Sequence, residues 1–162
     1  MYPLVYQTDF GLVDGAVSAM YGVAYSVAPE LKIHDLTHDI TPFNIWEASY
    51  RLIQTINYWP EKTVFVSVVD PGVGSDRKSI VVKTNSGRYI VTPDNGTLTH
   101  VIRLEGIAEA REIDETINRL PRSGESLGEA GVHWKAVPQW NLGREAQRRA
   151  RVSFSANVIR CI

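Results

Sequence analysis

The sequence predicts an α/β fold, built as a mostly parallel, doubly wound sheet with flanking helices. Short runs rich in β-branched residues alternate with amphipathic stretches of helical period, and their order along the chain is βαβαβ. This order predicts parallel strands joined by right-handed crossovers. The 162 residues, of which 44% are apolar and 22% charged, suffice for one ordinary domain with a sizeable core.

Each strand is predicted from a run of β-branched or aromatic residues bounded by turn-forming residues. The five predicted strands are residues 4–9, 32–36, 64–70, 79–83 and 88–92. Between the last two, residues 83–88 contain Asn-Ser-Gly, which tolerates positive φ, so we predict a turn joining two antiparallel strands.

Helices are predicted where apolar residues recur at helical spacing. Such stretches occupy residues 14–27 and 44–58, and a shorter one follows Leu98. In the second helix, three large residues share one face and are interpreted as core, as are two in the first helix. They are Trp46, Tyr50 and Ile53, and Met20 and Tyr21.

Charge divides the sequence near residue 126. Residues 1–126 contain eleven Lys and Arg against sixteen Asp and Glu, whereas residues 127–162 contain six against two. We therefore predict an α/β domain at residues 1–126 and interpret residues 127–162 as an atypical basic tail, from an altered reading frame or a truncated gene. The tail has no recognised nucleic-acid-binding motif, and only Trp134 and Trp140 are available to stack on bases, so no nucleic-acid partner is expected.

Membrane insertion and disulfide stabilisation are not expected. No apolar run approaches the roughly 18 residues of a membrane-spanning helix, and the N-terminus lacks the basic region of a signal peptide. The single cysteine, Cys161, cannot form an internal disulfide and fits a reducing compartment. We therefore expect a cytoplasmic protein.

Three acidic residues follow predicted strands, each beside a glycine or proline turn. Asp9 ends the first strand, Asp70 ends the third, and Asp94 follows a later one. Ligands of open α/β sheets bind beyond the carboxyl ends of the strands, so these corners are expected to share one edge. Each aspartate taken alone could instead shape a turn or cap a helix.

The glycine loop that follows Asp70 does not fit a phosphate site. It lacks the Walker and dinucleotide patterns, and it leads into a strand, so no helix N-terminus would face an anion. Because Asp70 and Asp76 would repel an anion, the loop suits a neutral or cationic ligand.

Two histidines, His34 and His38, flank two aspartates in a pattern like that of a metal cluster. In a strand, however, the histidines would lie about 13 Å apart, too far to bind one ion without a turn between them. We therefore predict structural roles for both histidines and no metal site.

Four motifs occur in order: TDFG at residues 8–11 with Asp14, HDITPF at 38–43, VDPGVG at 69–74 with Arg77, and PDNG at 93–96. Together they resemble the N-terminal domain of the S-adenosylmethionine hydrolases (adenosine-forming). This family is also called S-adenosylmethionine hydroxide adenosyltransferase, and it is related to fluorinating and chlorinating enzymes. The resemblance covers about residues 1–126.

The resemblance implies that water or hydroxide attacks the ribose 5′ carbon, displacing methionine and leaving adenosine, without a cofactor. Methionine leaves the sulfonium as a neutral thioether, so the protein must chiefly place and activate the nucleophile. By resemblance, Asp70 and Arg77 are catalytic and act on that water. The fluorinating enzyme carries tyrosine at the position of Asp70, which makes halide transfer the less favoured chemistry. The substrate-binding positions implied by the resemblance are Asp9, Asp14, Phe43, Asp70 and Asn95.

The sequence departs from the family pattern after Ser126. Family members continue with a segment that carries a catalytic histidine and then with a smaller β-rich C-terminal domain, and neither pattern occurs in residues 127–162. His133 lies near the expected place but lacks the family's flanking residues, so we interpret it as a surface or turn histidine. Family sites lie between subunits of a trimer, which implies a homotrimer and an impaired activity for this chain. The alternatives are a non-catalytic adenosine-binding domain, a folded remnant, or halide transfer.

Overall fold

Strands and helices alternate through the part of the chain that the computed structural model describes, residues 2–114. The strands are β1 (Leu4–Thr8), β2 (Ile33–Thr37), β3 (Val64–Val68), β4 (Ser79–Thr84), β5 (Tyr89–Pro93) and β6 (Ile107–Glu112). The helices are α1 (Ala16–Val27), α2 (Ile45–Thr55) and α3 (Thr99–Leu104), and a short 3-10 turn, Ile56–Tyr58, extends α2. The predicted boundary at residue 126 and the basic tail, including His133 and Cys161, lie outside the described residues.

The six strands of the described region form one sheet in the order β2-β1-β3-β5-β4-β6. Neighbours are parallel from β2 through β1 and β3 to β5, whereas β4 is antiparallel to both β5 and β6. The mostly parallel sheet is therefore confirmed, with β4 alone running in the opposite direction. The hairpin between β4 and β5 is confirmed too, because Gly87 has a φ of 80° and its amide donates to Thr84 O at 3.0 Å.

Strand β6 is not predicted by the sequence pattern. Its residues, IAEARE, combine alanine with charged side chains of low β propensity. The strand lies at the edge of the sheet, where charged residues are common because one side of the strand stays unpaired. Glu109 pairs with Arg111, and Glu112 lies 2.7 Å from Lys78 Nζ. Pairing with β4, rather than local propensity, therefore decides this strand.

The two faces of the sheet carry separate apolar cores. On one face Leu4 of β1 belongs to the cluster that contains Met20 of α1. On the other face its neighbour Val5 belongs to the cluster that contains Leu52 of α2 and Val101 of α3. Successive strand side chains point to opposite faces, so the helices cover both sides of the sheet. Strands β1 and β3 are buried along their whole length, as expected at the centre of a parallel sheet.

The core prediction for α2 is wrong at two of its three positions. Trp46 and Tyr50 are 63% and 45% exposed, and only Ile53 packs against the core. The buried face contains Ala48 and Leu52, both fully buried. Helical spacing shows which residues share a face, but close packing against the sheet selects the face, and the small Ala48 side chain lets α2 approach closely.

The core prediction for α1 is confirmed. Met20 is buried, and Tyr21 packs against the same cluster with its ring stacked on Tyr6 at a centroid distance of 5.6 Å. Among the helices of residues 2–114, none has both the length and the hydropathy needed to cross a membrane.

Candidate functional site

Three parallel strands that lie side by side, β1, β3 and β5, end at the same edge of the sheet. Thr8, the last residue of β1, pairs in register with Val68, the last residue of β3. The residues that follow these strands, Asp9, Asp70 and Asp94, therefore leave the sheet at one edge, as the sequence predicts. Open α/β sheets bind ligands at this edge.

Asp70 and Arg77 form a buried ion pair beyond the end of β3. The Arg77 guanidinium contacts Oδ2 of Asp70, and the two side chains are only 10% and 2% exposed, respectively. The Gly72 amide donates to Asp70 Oδ1 at 3.0 Å, and Ser75 Oγ donates to Gly72 O at 2.7 Å. Gly74 has a φ of 82°, a conformation that favours glycine. These turns reverse the chain, so that the arginine seven residues after the aspartate meets it.

Asn95 connects the end of β5 to the same carboxylate. Its Nδ2 donates to Val69 O at 2.9 Å and to Asp70 Oδ1 at 3.4 Å. Its Oδ1 accepts hydrogen bonds from the amide and the hydroxyl of Thr97 at 3.2 and 2.7 Å. The structure thus brings Asn95 to the candidate site as a group that positions Asp70. Its direct contact with substrate stays a prediction.

Asp9 holds the loop after β2 in a strained conformation. Its Oδ2 accepts a hydrogen bond from the Phe43 amide at 2.7 Å. Phe43 has a φ of 65°, a left-handed conformation that costs a non-glycine residue about 1–3 kcal/mol. The ring is 64% exposed, so it is available to a ligand. Strain of this kind clusters at functional sites, which makes the Asp9–Phe43 contact part of the candidate site.

Contacts centred on His38 join the loops after β1 and β2. His38 Nδ1 lies 2.8 Å from Thr8 Oγ1, and the His38 carbonyl accepts a hydrogen bond from the Gly11 amide at 2.8 Å. Thr8 Oγ1 also accepts from the Phe10 amide at 3.2 Å. We call these contacts among Thr8, Phe10, Gly11 and His38 the loop clasp. Sequence reasoning missed it, although the two motifs that it joins, TDFG and HDITPF, were both recognised.

The two histidines of β2 and its following loop have different surroundings. His38 Nε2 lies 2.9 Å from Asp35 Oδ1, whereas the His34 ring packs against Trp59 at a centroid distance of 5.2 Å. Within the described residues, no group of three His, Cys, Asp or Glu side chains is placed to hold a metal ion. Structural contacts thus account for both histidines.

Asp14 has the local role that an aspartate beside glycine often takes. Its Oδ1 accepts a hydrogen bond from the Ala16 amide at 2.9 Å, at the beginning of α1, and its side chain is exposed. The structure therefore assigns Asp14 a local turn contact that leads into α1, whose N-cap residue is Gly15. Its contact with substrate stays a prediction.

Asp94 has a different electrostatic environment from Asp70. Burial raises the pKa of Asp94 above its ordinary value, and the positive charge of Lys78 opposes that rise. The Asp94 amide donates to Lys78 O at 2.8 Å, which holds the end of β5 beside the start of β4. The same edge therefore presents one carboxyl group paired with arginine and another that burial makes harder to ionise.

Exposed apolar side chains surround the acidic residues of this edge. Leu12 and Val13 in the loop after β1, Phe43 after β2 and Val73 after β3 are all more than half exposed. Apolar groups around a few convergent polar ones are typical of sites for small organic ligands, and exposed apolar surface is also typical of contacts between proteins.

Known proteins share both this sequence and this fold. Residues 4–136 match the family described as the SAM hydroxide adenosyltransferase N-terminal domain. The (R)-S-adenosyl-L-methionine hydrolase of Methanocaldococcus jannaschii is 46% identical over 112 residues, which are 67% of this chain and 42% of that protein. A fluorinase of an Actinoplanes species is 27% identical over 135 residues, 70% of this chain and 45% of that protein. The match thus spans less than half the length of these curated relatives.

A solved structure carries the same architecture. The crystal structure of an uncharacterized conserved protein from Thermotoga maritima superposes with a TM-score of 0.84 and 33% sequence identity, covering 94% of this chain and 59% of that one. Because the family match extends over most of the sequence and includes all four motifs at the sheet edge, this chain belongs to the SAM hydroxide adenosyltransferase N-terminal domain family.

Proposed function

We propose that this chain forms the α/β part of an active site that hydrolyses S-adenosylmethionine to adenosine and methionine. The observation that carries the proposal is the buried Asp70–Arg77 pair, which lies at the same sheet edge as Asp9. The relative with 46% identity is named as an (R)-S-adenosyl-L-methionine hydrolase, and more distant relatives are named as fluorinases. Hydrolysis is favoured over halide transfer because Asp70 stands where the resemblance implies tyrosine in a fluorinating enzyme.

In the proposed reaction, a water oxygen forms a bond to the ribose 5′ carbon while the bond from that carbon to sulfur breaks. The sulfonium takes the electron pair and leaves as methionine, and the water releases one proton to solvent. No cofactor and no acid at the leaving group are required, so catalysis consists of placing and polarising the water. Each carboxylate oxygen can accept more than one hydrogen bond, so Asp70 can hold the water while Arg77 stabilises its developing negative charge.

Substrate binding is proposed for the loops around this pair. Asp9 uses Oδ2 for the Phe43 amide, which leaves Oδ1 to accept a hydrogen bond from a ribose hydroxyl. The exposed Phe43 ring would pack against the ribose. Asp9 adds a carboxyl group to this edge that suits a sulfonium cation, whereas Arg77 balances the charge of Asp70 and burial opposes the ionisation of Asp94. Asp14 and Asn95 are further proposed positions. In the structure Asp14 accepts from the Ala16 amide before α1, and Asn95 contacts Asp70.

The complete enzyme is proposed to be a cytoplasmic homotrimer. The exposed Leu12, Val13 and Val73 at the rim of the site are suited to contact a neighbouring subunit, which would bury the substrate and exclude water. The chain spans 42% of the hydrolase relative's length. We therefore propose that the 162-residue chain by itself turns over more slowly than a full-length relative.

The proposal is tested by incubating the purified protein with S-adenosylmethionine in water enriched in ¹⁸O. Attack at the 5′ carbon places one ¹⁸O atom in adenosine and none in methionine, which mass spectrometry distinguishes. A parallel incubation with chloride or fluoride tests halide transfer, whose product is a 5′-halogenated nucleoside. Binding of adenosine by calorimetry without any turnover would favour the non-catalytic adenosine-binding domain instead.

A matched pair of variants tests the role of the ion pair. Asp70→Asn is expected to lower turnover at least tenfold, a barrier change of about 1.4 kcal/mol, because it removes the charge that orients the water. Asp76→Asn, in the exposed part of the same loop, is expected to retain wild-type turnover. Both are assayed well below their unfolding temperatures. Equal turnover in Asp70→Asn and wild type would remove Asp70 from the mechanism.

A further inference from the structure

We propose that His38 is a positioning residue for this site, because the loop clasp holds Asp9 in the geometry that binds the ribose. The inference rests on the proposed function and extends it to a residue that the mechanism does not otherwise use. The His38 ring contacts Asp35 and Thr8 rather than any residue of the Asp70–Arg77 pair, so its proposed effect on a substrate is exerted through the loop that holds Asp9.

The His38 ring has one close polar contact at each of its nitrogens. Nε2 lies 2.9 Å from Asp35 Oδ1, a close polar contact that does not have the alignment of a hydrogen bond. His38 Nδ1 and Thr8 Oγ1 lie 2.8 Å apart in a hydrogen bond whose donor is set by the tautomer of the ring. The Thr8 oxygen in turn accepts from the Phe10 amide at 3.2 Å. These contacts link the His38 ring to Thr8 and, through Thr8, to the Phe10 amide.

The order Asp35, His38, Thr8 is chemically the order of a hydrolase triad, but its burial excludes that role. A nucleophilic hydroxyl must reach the reacting carbon, and the Thr8 side chain is fully enclosed. The series therefore fixes structure rather than attacking substrate.

The loop clasp fixes the backbone on both sides of Asp9. Before Asp9, the Thr8 side chain is hydrogen-bonded to the His38 imidazole. After Asp9, the Phe10 amide donates to Thr8 Oγ1, and the Gly11 amide donates to the His38 carbonyl. Asp9 then holds the Phe43 amide at 2.7 Å. The imidazole and the backbone carbonyl of His38 thus together restrain the loop that carries Asp9, and through Asp9 the Phe43 amide.

The far end of the series is anchored in α1. The Tyr21 hydroxyl donates to Asp35 Oδ2, and the Tyr21 ring stacks on Tyr6 in the core. Burial, followed by the hydrogen bond to Asp35, raises the pKa of Tyr21, so its hydroxyl stays protonated and remains a donor. Asp35 is 42% exposed, and this bond restrains a carboxylate that would otherwise reorient in solvent.

Loss of the binding geometry in the loop after β1 should raise the dissociation constant of a ligand by a factor that follows from how often the loop still adopts that geometry. If the loop after β1 adopts its binding geometry in only one molecule of ten, the apparent dissociation constant rises about tenfold. The Asp70–Arg77 pair does not depend on His38, so the effect is expected in ligand affinity rather than in the chemical step.

Two amide replacements separate positioning from general stabilisation. In His38→Asn the shorter amide reaches the place of Nδ1 and keeps the Thr8 contact. In His38→Gln the longer amide reaches the place of Nε2 and keeps the Asp35 contact instead. Calorimetry with adenosine as the probe is expected to show His38→Asn within about threefold of wild type and His38→Gln about tenfold weaker. His34→Ala, four residues earlier on β2 and packed against Trp59, is the matched control and should bind as wild type does.

The unfolding temperatures of both variants are measured alongside binding. If His38 only stabilises the fold, adenosine binding in both amide variants should weaken in proportion to the stability that each has lost. That result would overturn the proposal. If wild type binds no adenosine, the proposed function fails, and amide hydrogen exchange then tests the loop clasp separately. Faster exchange at Phe10 and Gly11 in His38→Gln than in His38→Asn would support the positioning role, and equal exchange would refute it.

Discussion

Replacement of Asp70 by Asn is expected to destabilise the fold as well as the reaction. The wild-type carboxylate and guanidinium are 2% and 10% exposed, so the substitution leaves a buried positive charge facing an amide. Removing one partner of a buried ion pair costs about 3–5 kcal/mol of unfolding free energy. Arg77 Nη1 also lies 3.4 Å from Ser79 Oγ, which gives the charge a second polar neighbour, so we expect the lower end, about 3 kcal/mol.

This loss translates into a measurable change in thermal stability. A folded unit of about a hundred residues has an unfolding entropy near 0.2 kcal/mol/K, so a loss of about 3 kcal/mol lowers Tm by about 10–15 °C. Adding Arg77→Met removes the unpaired charge and replaces it with an apolar side chain of similar length. The double variant is therefore expected to recover about 2 kcal/mol of the loss.

The assay is urea unfolding of wild type, both single variants and the double variant, followed by circular dichroism at low and at high salt. Buried pairs are screened little, so the coupling energy should change little with salt. Arg51→Met is the control, because the Arg51–Glu47 pair is partly exposed, with atoms 3.6 Å apart, and should contribute far less. A loss below about 1 kcal/mol in Asp70→Asn, or a double variant no more stable than that single one, would refute this reasoning.

Three further predictions concern other parts of the site and its support. Phe43→Gly should leave the free energy of unfolding unchanged or raise it by about 1 kcal/mol, because glycine tolerates the positive φ at this position. Phe43→Val should lower the free energy of unfolding, and both variants should bind adenosine more weakly than wild type. Because burial raises the pKa of Asp94, its ionisation opposes folding, so stability falls as pH rises through that raised pKa. Asp94→Asn should therefore unfold at a higher urea concentration than wild type at pH 7. The difference between the two urea midpoints should vanish as the pH is lowered towards the ordinary aspartate pKa, and a difference that stays constant with pH would contradict this. Asn44→Ala removes the side chain at the start of α2 that accepts a hydrogen bond from the Glu47 amide at 3.0 Å. The free energy of unfolding should fall by about 1 kcal/mol in a thermal melt, and an unchanged Tm would show that this cap contributes nothing.

Local patterns in the sequence determined the type of each helix and strand from β1 to α3 and the edge on which the site lies. The alternation of β-branched runs with helical stretches predicts a parallel sheet, and parallel strands bring their carboxyl ends together. Asp9 and Asp70 could therefore be placed on one edge without knowledge of any contact. The glycine loop after Asp70 is likewise predicted to lead into the next strand, and in the structure this loop brings Arg77 back to Asp70.

Only the tertiary structure decided the features that depend on partners distant in the sequence. Strand β6 forms because β4 pairs with it, and Trp46 is exposed because the sheet accepts Ala48 on the opposite side of α2. The loop clasp requires His38 to meet Thr8, thirty residues earlier, and Asn95 meets Asp70 across twenty-five residues. Periodicity reports which residues share a face, but strand order and close packing decide which faces and which loops meet, and these arise from the whole chain folding together.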